Sequence, residues 1–284
     1  MEQKQQDTTP ETAFLIHLLF EEMTELPDPE KLLESLQNHL GTVEENTHEP
    51  TLATYLAKDY IAEINDTYVP VMLSILGCTS MEGLHIDPIS RSQMRDCPQH
   101  EELLQKAKYH IVATDMMGEA IPDYKTHAEL ICNYAESLME VFPKCIGIYF
   151  QNTGKLFDAK TFRHMDIGFD NRFIRYVVNF RLFRADNSDN LIVDSLGMNV
   201  LELPDVQYHF HGMEPNLVVR HAMNLCSYNF DYQAPIGNNE TVDGIEDAHP
   251  SSDVQWACQY EESLVQPNRI VLDVRMNEFA SDNR

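Results

Sequence analysis

The sequence predicts an α+β fold, with one or more mixed, mainly antiparallel sheets and a few helices packed on one side. Three observations favour this class. Segments with helical spacing and segments with strand alternation are mixed in the first half, strands dominate the second half, and neither a regular β-α-β-α order nor a fixed-period repeat is present. The same pattern is compatible with two related α/β halves, and this arrangement stays open.

The first elements are a strand and a helix with clear boundaries. Residues 13–20 form a short apolar run that is typical of a strand. Asp28 then caps a helix that has Pro29 in its first turn and ends at Gly41, and the leucines between them recur at helical spacing. The segment 44–50 predicts a loop, because it holds three glutamates and ends in a proline.

The middle of the chain continues with strands and one long helix. An Asn-Asp pair is a turn signal, so the strands on either side of it are predicted to form a hairpin. The predicted elements are strands at 52–56, 60–64 and 69–76, a short helix at 98–106, a strand at 109–113, a long helix at 122–142 and a strand at 145–150.

The clearest strand of the second half is predicted at 174–182, where apolar residues alternate with Arg175, Asn179 and Arg181. A polar turn at 186–190 joins it to a partner strand. The elements that follow are strands at 191–194 and 206–210, a helix at 215–230, a loop at 231–252, and a strand pair at 254–260 and 269–275.

The chain length suits one large domain or two modest ones. Residues 1–12 are predicted to be a disordered leader. Residues 13–284 are predicted to form a single α+β body, because the hairpin-rich second half can complete the sheet of the first. Two subdomains, 13–150 and 151–284, are the alternative.

The charge excludes two classes of partner. The chain has 46 acidic and 20 basic residues, so its net charge of −26 repels nucleic acid and anionic membranes. The excess is uneven, because residues 1–50 hold 12 acids against 2 bases and residues 201–250 hold 8 against 1. One interpretation of such clusters is that they are solvent-exposed faces that aid solubility. The other is an acidic surface that binds a basic partner, near the N-terminus or in the loop after the Pro215 helix.

The compartment is predicted to be the cytoplasm. The N-terminus lacks a basic region followed by an apolar stretch, and no apolar run is long enough to span a membrane. The six cysteines lie far apart without a Cys-x-x-Cys pair, which indicates reduced and mostly buried thiols. No cofactor is predicted.

A candidate metal site lies on the predicted strand at 206–210 and its ends. Asp205, His209 and His211 share one face of a strand, and two histidines in a His-x-His pattern can ligate one metal ion. No further ligand is evident, and His221 is predicted to face the core because of its helical spacing. The alternative is a polar strand face with two neutral histidines.

Two basic segments supply candidate binding residues. Arg91, Arg95 and Asp96 precede Cys97, and the arginines would lower the pKa of that thiol, although such residues are also common loop anchors. Residues 155–184 hold seven bases against three acids. In that stretch Arg175 and Arg181 are candidates for binding an anionic ligand, and compensation of the protein's own acids is the alternative.

The order of several motifs resembles a bacterial family, the domain of unknown function numbered 4261, over most of the chain from about Ala13 onward. The motifs are RSQMRDCP at 91–98, AKYHIV at 107–112, GIYFQNTGK at 147–155, DSLGM at 194–198, LPD at 203–205, QYHFHGM at 207–213 and EESLVQP at 261–267. The resemblance implies no reaction, cofactor or catalytic residue. Its general style is similar to bacterial immunity or accessory proteins, which bind and block a partner.

These observations favour a cytosolic bacterial protein that acts without catalysis, through contact with a protein partner that is basic, in the manner of an immunity or inhibitor protein. No catalytic residue is predicted, because no phosphate-binding loop, zinc-protease helix or serine-hydrolase elbow is present. A metal-dependent hydrolase that uses His209 and His211 is one alternative. A sensor of a small anion that uses Arg175 and Arg181 is another.

Overall fold

The computed structural model describes residues 13–167, 171–185 and 188–281. The predicted leader at 1–12 and part of the predicted turn at 186–190 lie outside the described residues. Across these ranges the chain forms two mainly antiparallel sheets and seven α-helices, which confirms the predicted α+β class.

The first sheet has eight strands within the described ranges. They are β1 (Phe14–Phe20), β2 (Val43–Glu49), β3 (Leu52–Ile64), β4 (Thr67–Leu76), β5 (Thr79–Ser80), β6 (Tyr109–Met116), β7 (Gly147–Phe150) and β8 (Lys155–Asp158). Their order is β2-β3-β4-β6-β1-β7-β8, and β5 pairs with β6. The strand β1 lies inside the sheet because it is almost wholly apolar and must bury both of its faces.

The helices of the described residues are α1 (Pro29–Leu40), α2 (Pro88–Ser92), α3 (His100–Lys106), α4 (Tyr124–Val141), α5 (Ala159–Arg163), α6 (Arg172–Tyr176) and α7 (Pro215–Tyr232). The helix α1 begins as predicted, since the Asp28 carboxylate accepts a hydrogen bond from the Glu30 N–H at 3.1 Å. It packs against α4, where the Ser35 hydroxyl donates to the Ser137 carbonyl at 3.1 Å.

Both faces of the first sheet are covered. Phe14, Ile16, Leu18 and Phe20 of β1 contribute to the main hydrophobic core, to which α1 and α4 contribute as well. Leu19 points the other way, into a smaller cluster that includes residues of α3. The prediction of helices on one side therefore holds for the long helices α1 and α4, whereas the short helix α3 contributes to the second cluster.

The second sheet has six strands within the described ranges. They are β9 (Asn179–Arg184), β10 (Leu191–Leu196), β11 (Asp205–Phe210), β12 (Thr241–Glu246), β13 (His249–Glu262) and β14 (Ile270–Arg275). Their order is β12-β13-β14-β11-β10-β9, and only the described pair β11–β14 is parallel. The helix α7 buries Val218, Ala222 and Cys226 and packs against β10 and β11.

The two sheets meet where β8 approaches the chain before β9. The buried ammonium group of Lys155 donates hydrogen bonds to the carbonyls of Arg175 and Val178 at 2.8 and 2.7 Å. The Asn179 side chain donates to the Thr153 carbonyl at 3.0 Å. A lysine side chain from the first sheet thus satisfies backbone acceptors at the start of the second.

Three predictions of local structure were wrong. The predicted strand at 174–182 is the helix α6 followed by β9, because the Asn171 side chain caps a helical turn that the alternating pattern concealed. The acidic segment 44–50 forms the edge strand β2 rather than a loop, with its glutamates exposed. The predicted loop at 231–252 contains β12 and the start of β13.

Candidate functional site

A row of polar side chains crosses the second sheet. Arg181 pairs in register with Asp194, Asp194 with Gln207, and Gln207 with Asp273. All four residues are buried. A buried charged group is costly unless it forms hydrogen bonds or ion pairs. The fold therefore depends on how these four side chains are positioned.

The predicted ligand-binding residue Arg181 is fully engaged in this row. Its guanidinium donates two hydrogen bonds to Asp194, at 2.8 and 2.5 Å, and one to the Gln266 carbonyl at 2.8 Å. Its side chain is only 3% exposed. The prediction that Arg181 binds an external anion is therefore corrected, because its charge is neutralised internally.

Asp205, like Arg181, is engaged by partners within the protein. One of its oxygens accepts hydrogen bonds from the Ser195 hydroxyl and from the N–H groups of Gly197 and Met198, each at 3.0 Å. The other oxygen accepts from Arg269 at 2.8 Å, and Arg269 also reaches Asp194 at 2.7 Å. The two arginines and two aspartates form one buried ionic cluster at the end of β10 and β11.

The structure does not assemble the predicted metal site. Asp205 is committed to the ionic cluster and lies four strand residues from His209, a distance of about 13 Å. His211 is exposed, and its Nδ1 lies 3.3 Å from the Ser281 hydroxyl. Within the described ranges, no three His, Cys, Asp or Glu side chains are grouped as metal ligands. The assignment of Asp205 as a ligand beside the histidines is therefore wrong.

The last residue of the polar row is Asp273, whose carboxyl group has a raised pKa. Burial, together with the neighbouring carboxyl of Glu261, raises the pKa of Asp273 to about 7. Gln207 donates a hydrogen bond to Asp273 at 3.1 Å and opposes this shift. Asp273 is thus a buried acid that titrates near neutral pH.

The predicted cluster at 91–98 separates into three environments. Arg91 on α2 forms an exposed, two-point ion pair with Glu101. Asp96 lies 3.5 Å from the Lys155 ammonium. Cys97 is fully buried, and burial raises its pKa to about 11, so the arginines do not make it a reactive thiolate.

Asn216 links the predicted binding residues Arg95 and Arg175 to one cleft. Arg95 donates to the Asn216 side chain at 3.5 Å. Asn216 and Arg175 line a cleft between α6 and α7, of about 370 Å³. Arg175 lies on the helix α6 and not, as predicted, on the polar face of a strand. Its side chain nevertheless lies at a surface cleft.

A second and larger cleft, here called the acidic cleft, lies between α7 and the hairpin β12–β13. Its volume is about 760 Å³. Its lining combines apolar side chains with polar ones, namely His221, Asn224, Leu225, Tyr228, Pro235, Ile236, Asn239, Glu240, Thr241, Val242, Asp243 and Pro250. It lies in the region after the Pro215 helix, where the charge distribution predicts a partner site.

Hydrogen bonds of His221 hold the floor of the acidic cleft together. His221 accepts or donates through both ring nitrogens, with Nδ1 at 2.8 Å from the Tyr208 hydroxyl and Nε2 at 2.6 Å from the Asp243 carbonyl. Its ring lies 4.9 Å from that of Trp256. Burial lowers the pKa of His221, so it is neutral at pH 7. The predicted inward orientation of His221 is confirmed.

The rim of the acidic cleft carries the local charge excess. Residues 231–253 contain six acidic residues and no lysine or arginine. Glu240 and Asp243 belong to the lining, and three further acids are exposed nearby, namely Asp231 in the last turn of α7, Glu246 at the end of β12 and Asp247 in the turn that follows. The hairpin β12–β13 depends on Gly244, since a methyl group there would lie 2.8 Å from the indole of Trp256.

Residues 194–275 match the family described as Domain of unknown function (DUF4261). This match confirms the predicted resemblance for about 80 of the 284 residues. The matched segment contains α7, the acidic cleft and three members of the ionic cluster, Asp194, Asp205 and Arg269. No curated protein and no solved structure matches the chain significantly.

None of the helices in the described ranges is long and apolar enough to cross a membrane.

Proposed function

We propose that this chain is a cytoplasmic bacterial protein that acts without catalysis by binding a basic protein partner in the acidic cleft, as an immunity or inhibitor protein does. The observation that carries this proposal is the combination, in one concave site, of apolar wall residues with a cluster of acidic residues. Protein interfaces combine a buried apolar centre with a polar rim in the same way.

The lining offers a place for an apolar anchor. Leu225, Tyr228, Ile236 and Val242 contribute to the walls, and Tyr228 is 46% exposed. A large side chain of a partner that fills this space would displace water from apolar surface, which is the usual origin of interface hot spots. Tyrosine is itself common at such positions, since it presents a large and rigid surface.

The rim selects the charge of the partner. Six acidic residues over 231–253, without a compensating lysine or arginine, favour lysine- or arginine-rich surfaces. The whole-chain charge of −26 adds a long-range attraction that accelerates the encounter at low ionic strength.

The chemistry of the floor supports binding rather than catalysis. Both nitrogens of His221 are occupied by Tyr208 and the Asp243 backbone, and the imidazole is held neutral by burial. A general base needs a nitrogen that can reach the proton of a substrate. Here the histidine instead ties α7 to the hairpin and fixes the shape of the cleft.

The proposal is tested by capture of the partner from a lysate of the source organism. The bait is the full chain, compared with the double variant Glu240→Gln, Asp243→Asn. Both amides retain the acceptor oxygens that bind Gly237 and Gln255 in the wild type. The control is Glu21→Gln, Glu22→Gln, which removes two exposed charges elsewhere.

We expect a basic protein to be retained by the wild type and the control at low salt, and lost at high salt or with the cleft variant. Retention by the cleft variant at the level of the control, or a captured partner that is not basic, would contradict the proposal.

A further inference from the structure

A cationic cleft lies between α6 and α7, beside the acidic cleft. It is lined by Asn171, Ile174, Arg175, Asn216, Val219, Arg220, Met223, Asn224 and Ser227, and its volume is about 370 Å³. The α7 members recur every three or four residues, so they form one stripe of that helix. Arg95 reaches the same cleft from the α2–α3 connection through its contact with Asn216.

The arginines at this cleft differ from four other arginines of the described chain. Arg91, Arg172, Arg181 and Arg269 all form ion pairs with carboxylates. In the described part of the chain no such pair is formed by the three cleft arginines, which are Arg95, Arg175 and Arg220. In a chain with more than twice as many acids as bases, three unpaired guanidinium groups at one cleft require a reason.

Two carboxylates of the adjoining segments already have partners. Glu214 caps α7 by accepting from the Leu217 N–H at 3.0 Å, and it accepts from the Asn216 amide at 2.9 Å. Asp96 faces the buried ammonium of Lys155 at 3.5 Å. That ammonium donates to the Arg175 carbonyl at 2.8 Å, which places a further positive charge behind the cleft.

One arginine of the cleft has unused hydrogen-bonding capacity. The Nε atom of Arg175 is buried and, among the described residues, has no hydrogen-bond partner. A buried N–H without an acceptor is costly, so an arriving acceptor gains more there than at an exposed site. Arg220, by contrast, is exposed and lines the same cleft from α7.

We propose that the cationic cleft binds a small phosphate monoester, with its phosphate between Arg175 and Arg220 and with Arg95 at the edge. A planar guanidinium group can donate two parallel hydrogen bonds to phosphate oxygens. Three guanidinium groups match the charge of a phosphate dianion better than that of a single carboxylate. The amides of Asn171, Asn216 and Asn224 and the hydroxyl of Ser227 supply neutral partners for the hydroxyl groups of the organic part. The volume lies within the range of small-molecule sites, about 300–1,000 Å³.

The test is calorimetric titration of the full chain with ribose 5-phosphate, inorganic phosphate, succinate and ribose in a phosphate-free buffer at low salt. Ribose 5-phosphate is expected to bind, more tightly than inorganic phosphate and succinate, and ribose is expected not to bind. Arg175→Gln and Arg220→Gln are each expected to weaken binding of ribose 5-phosphate about tenfold or more. The control Arg91→Gln is expected to bind as the wild type does, because its ion pair with Glu101 lies outside the cleft lining.

Three results would overturn the proposal. The first is the absence of binding of ribose 5-phosphate to the wild type. The second is equal or tighter binding of succinate or inorganic phosphate, which would remove the phosphate-ester assignment. The third is unchanged binding by Arg220→Gln and Arg95→Gln, two exposed positions where the substitution leaves the fold intact, as circular dichroism would verify.

Discussion

Two clefts share the helix α7 but differ in their charge. The lining of each mixes apolar with polar side chains, but the acidic cleft carries Glu240 and Asp243, whereas the cationic cleft carries Arg175 and Arg220. Asn224 belongs to both. One amphipathic helix therefore separates two electrostatic environments, and the net charge of the chain describes neither of them.

The comparison also shows what burial does to a charged residue. Arg181 and Arg175 come from the same basic segment and have the same side chain. Arg181 is enclosed by Asp194 and Gln266, so its charge stabilises the second sheet. Arg175 remains at a cleft without a carboxylate partner in the described chain. The type of residue does not distinguish these roles, and only its surroundings do.

The largest effect is expected in the ionic cluster, which holds the sheet beneath both clefts. Asp194→Ala leaves Arg181 and Arg269 buried without their shared acceptor. We expect the free energy of unfolding to fall by about 3–5 kcal/mol, measured by urea denaturation. The control Asp253→Ala, at an exposed position on β13, is expected to change it by less than about 0.5 kcal/mol. A loss below about 1 kcal/mol in Asp194→Ala would refute a structural role.

A smaller loss of stability is expected from Gly244→Ala, which should disturb the acidic cleft and leave the cationic cleft intact. In Gly244→Ala the new methyl group would meet the side chains of Val254 and Trp256 within 2.8 Å. We expect a loss of about 1–3 kcal/mol and altered fluorescence of the single tryptophan. Binding of ribose 5-phosphate in the cationic cleft should persist. The control Gly83→Ala, where an added methyl meets nothing within 4 Å, should leave all three measurements unchanged.

A pH effect is expected from Asp273. Its pKa in the folded protein is about 7, above the value of about 3.9 in an unfolded chain. The folded state therefore holds the proton more tightly, and the stability that this proton contributes is lost as the pH rises from about 4 through 7. In Asp273→Asn this contribution to the pH dependence of the unfolding free energy should disappear. An identical pH profile in the variant and the wild type would show that Asp273 titrates normally.

Much of the fold follows from local patterns. The Asp28–Pro29 start of α1 and the apolar run of β1 are interpretable because capping and hydrophobic patterning act within a few residues. The strand predicted at 174–182 failed for the same local reason, since a single capping side chain at Asn171 outweighs alternation. Local patterns thus predict an element well where they agree with each other.

The candidate sites were less predictable, because their partners are distant in sequence. Asp205 resembled a metal ligand beside His209, and its true partner Arg269 lies 64 residues further along. The acidic segment did point to the region after α7, but the hairpin that makes it a cleft depends on the packing of Gly244 against Trp256. Charge clusters indicate where a site lies, and tertiary contacts determine its shape.

The central claim, that the acidic cleft holds a basic protein partner, is tested most directly by the affinity of the captured partner at several salt concentrations. For the wild type, we predict a dissociation constant that rises steeply with salt. For Glu240→Gln, Asp243→Asn, we predict binding at least about tenfold weaker at low salt and a shallower salt dependence. An equal affinity and an equal salt dependence of the two proteins would contradict the assignment of the acidic cleft as the partner site.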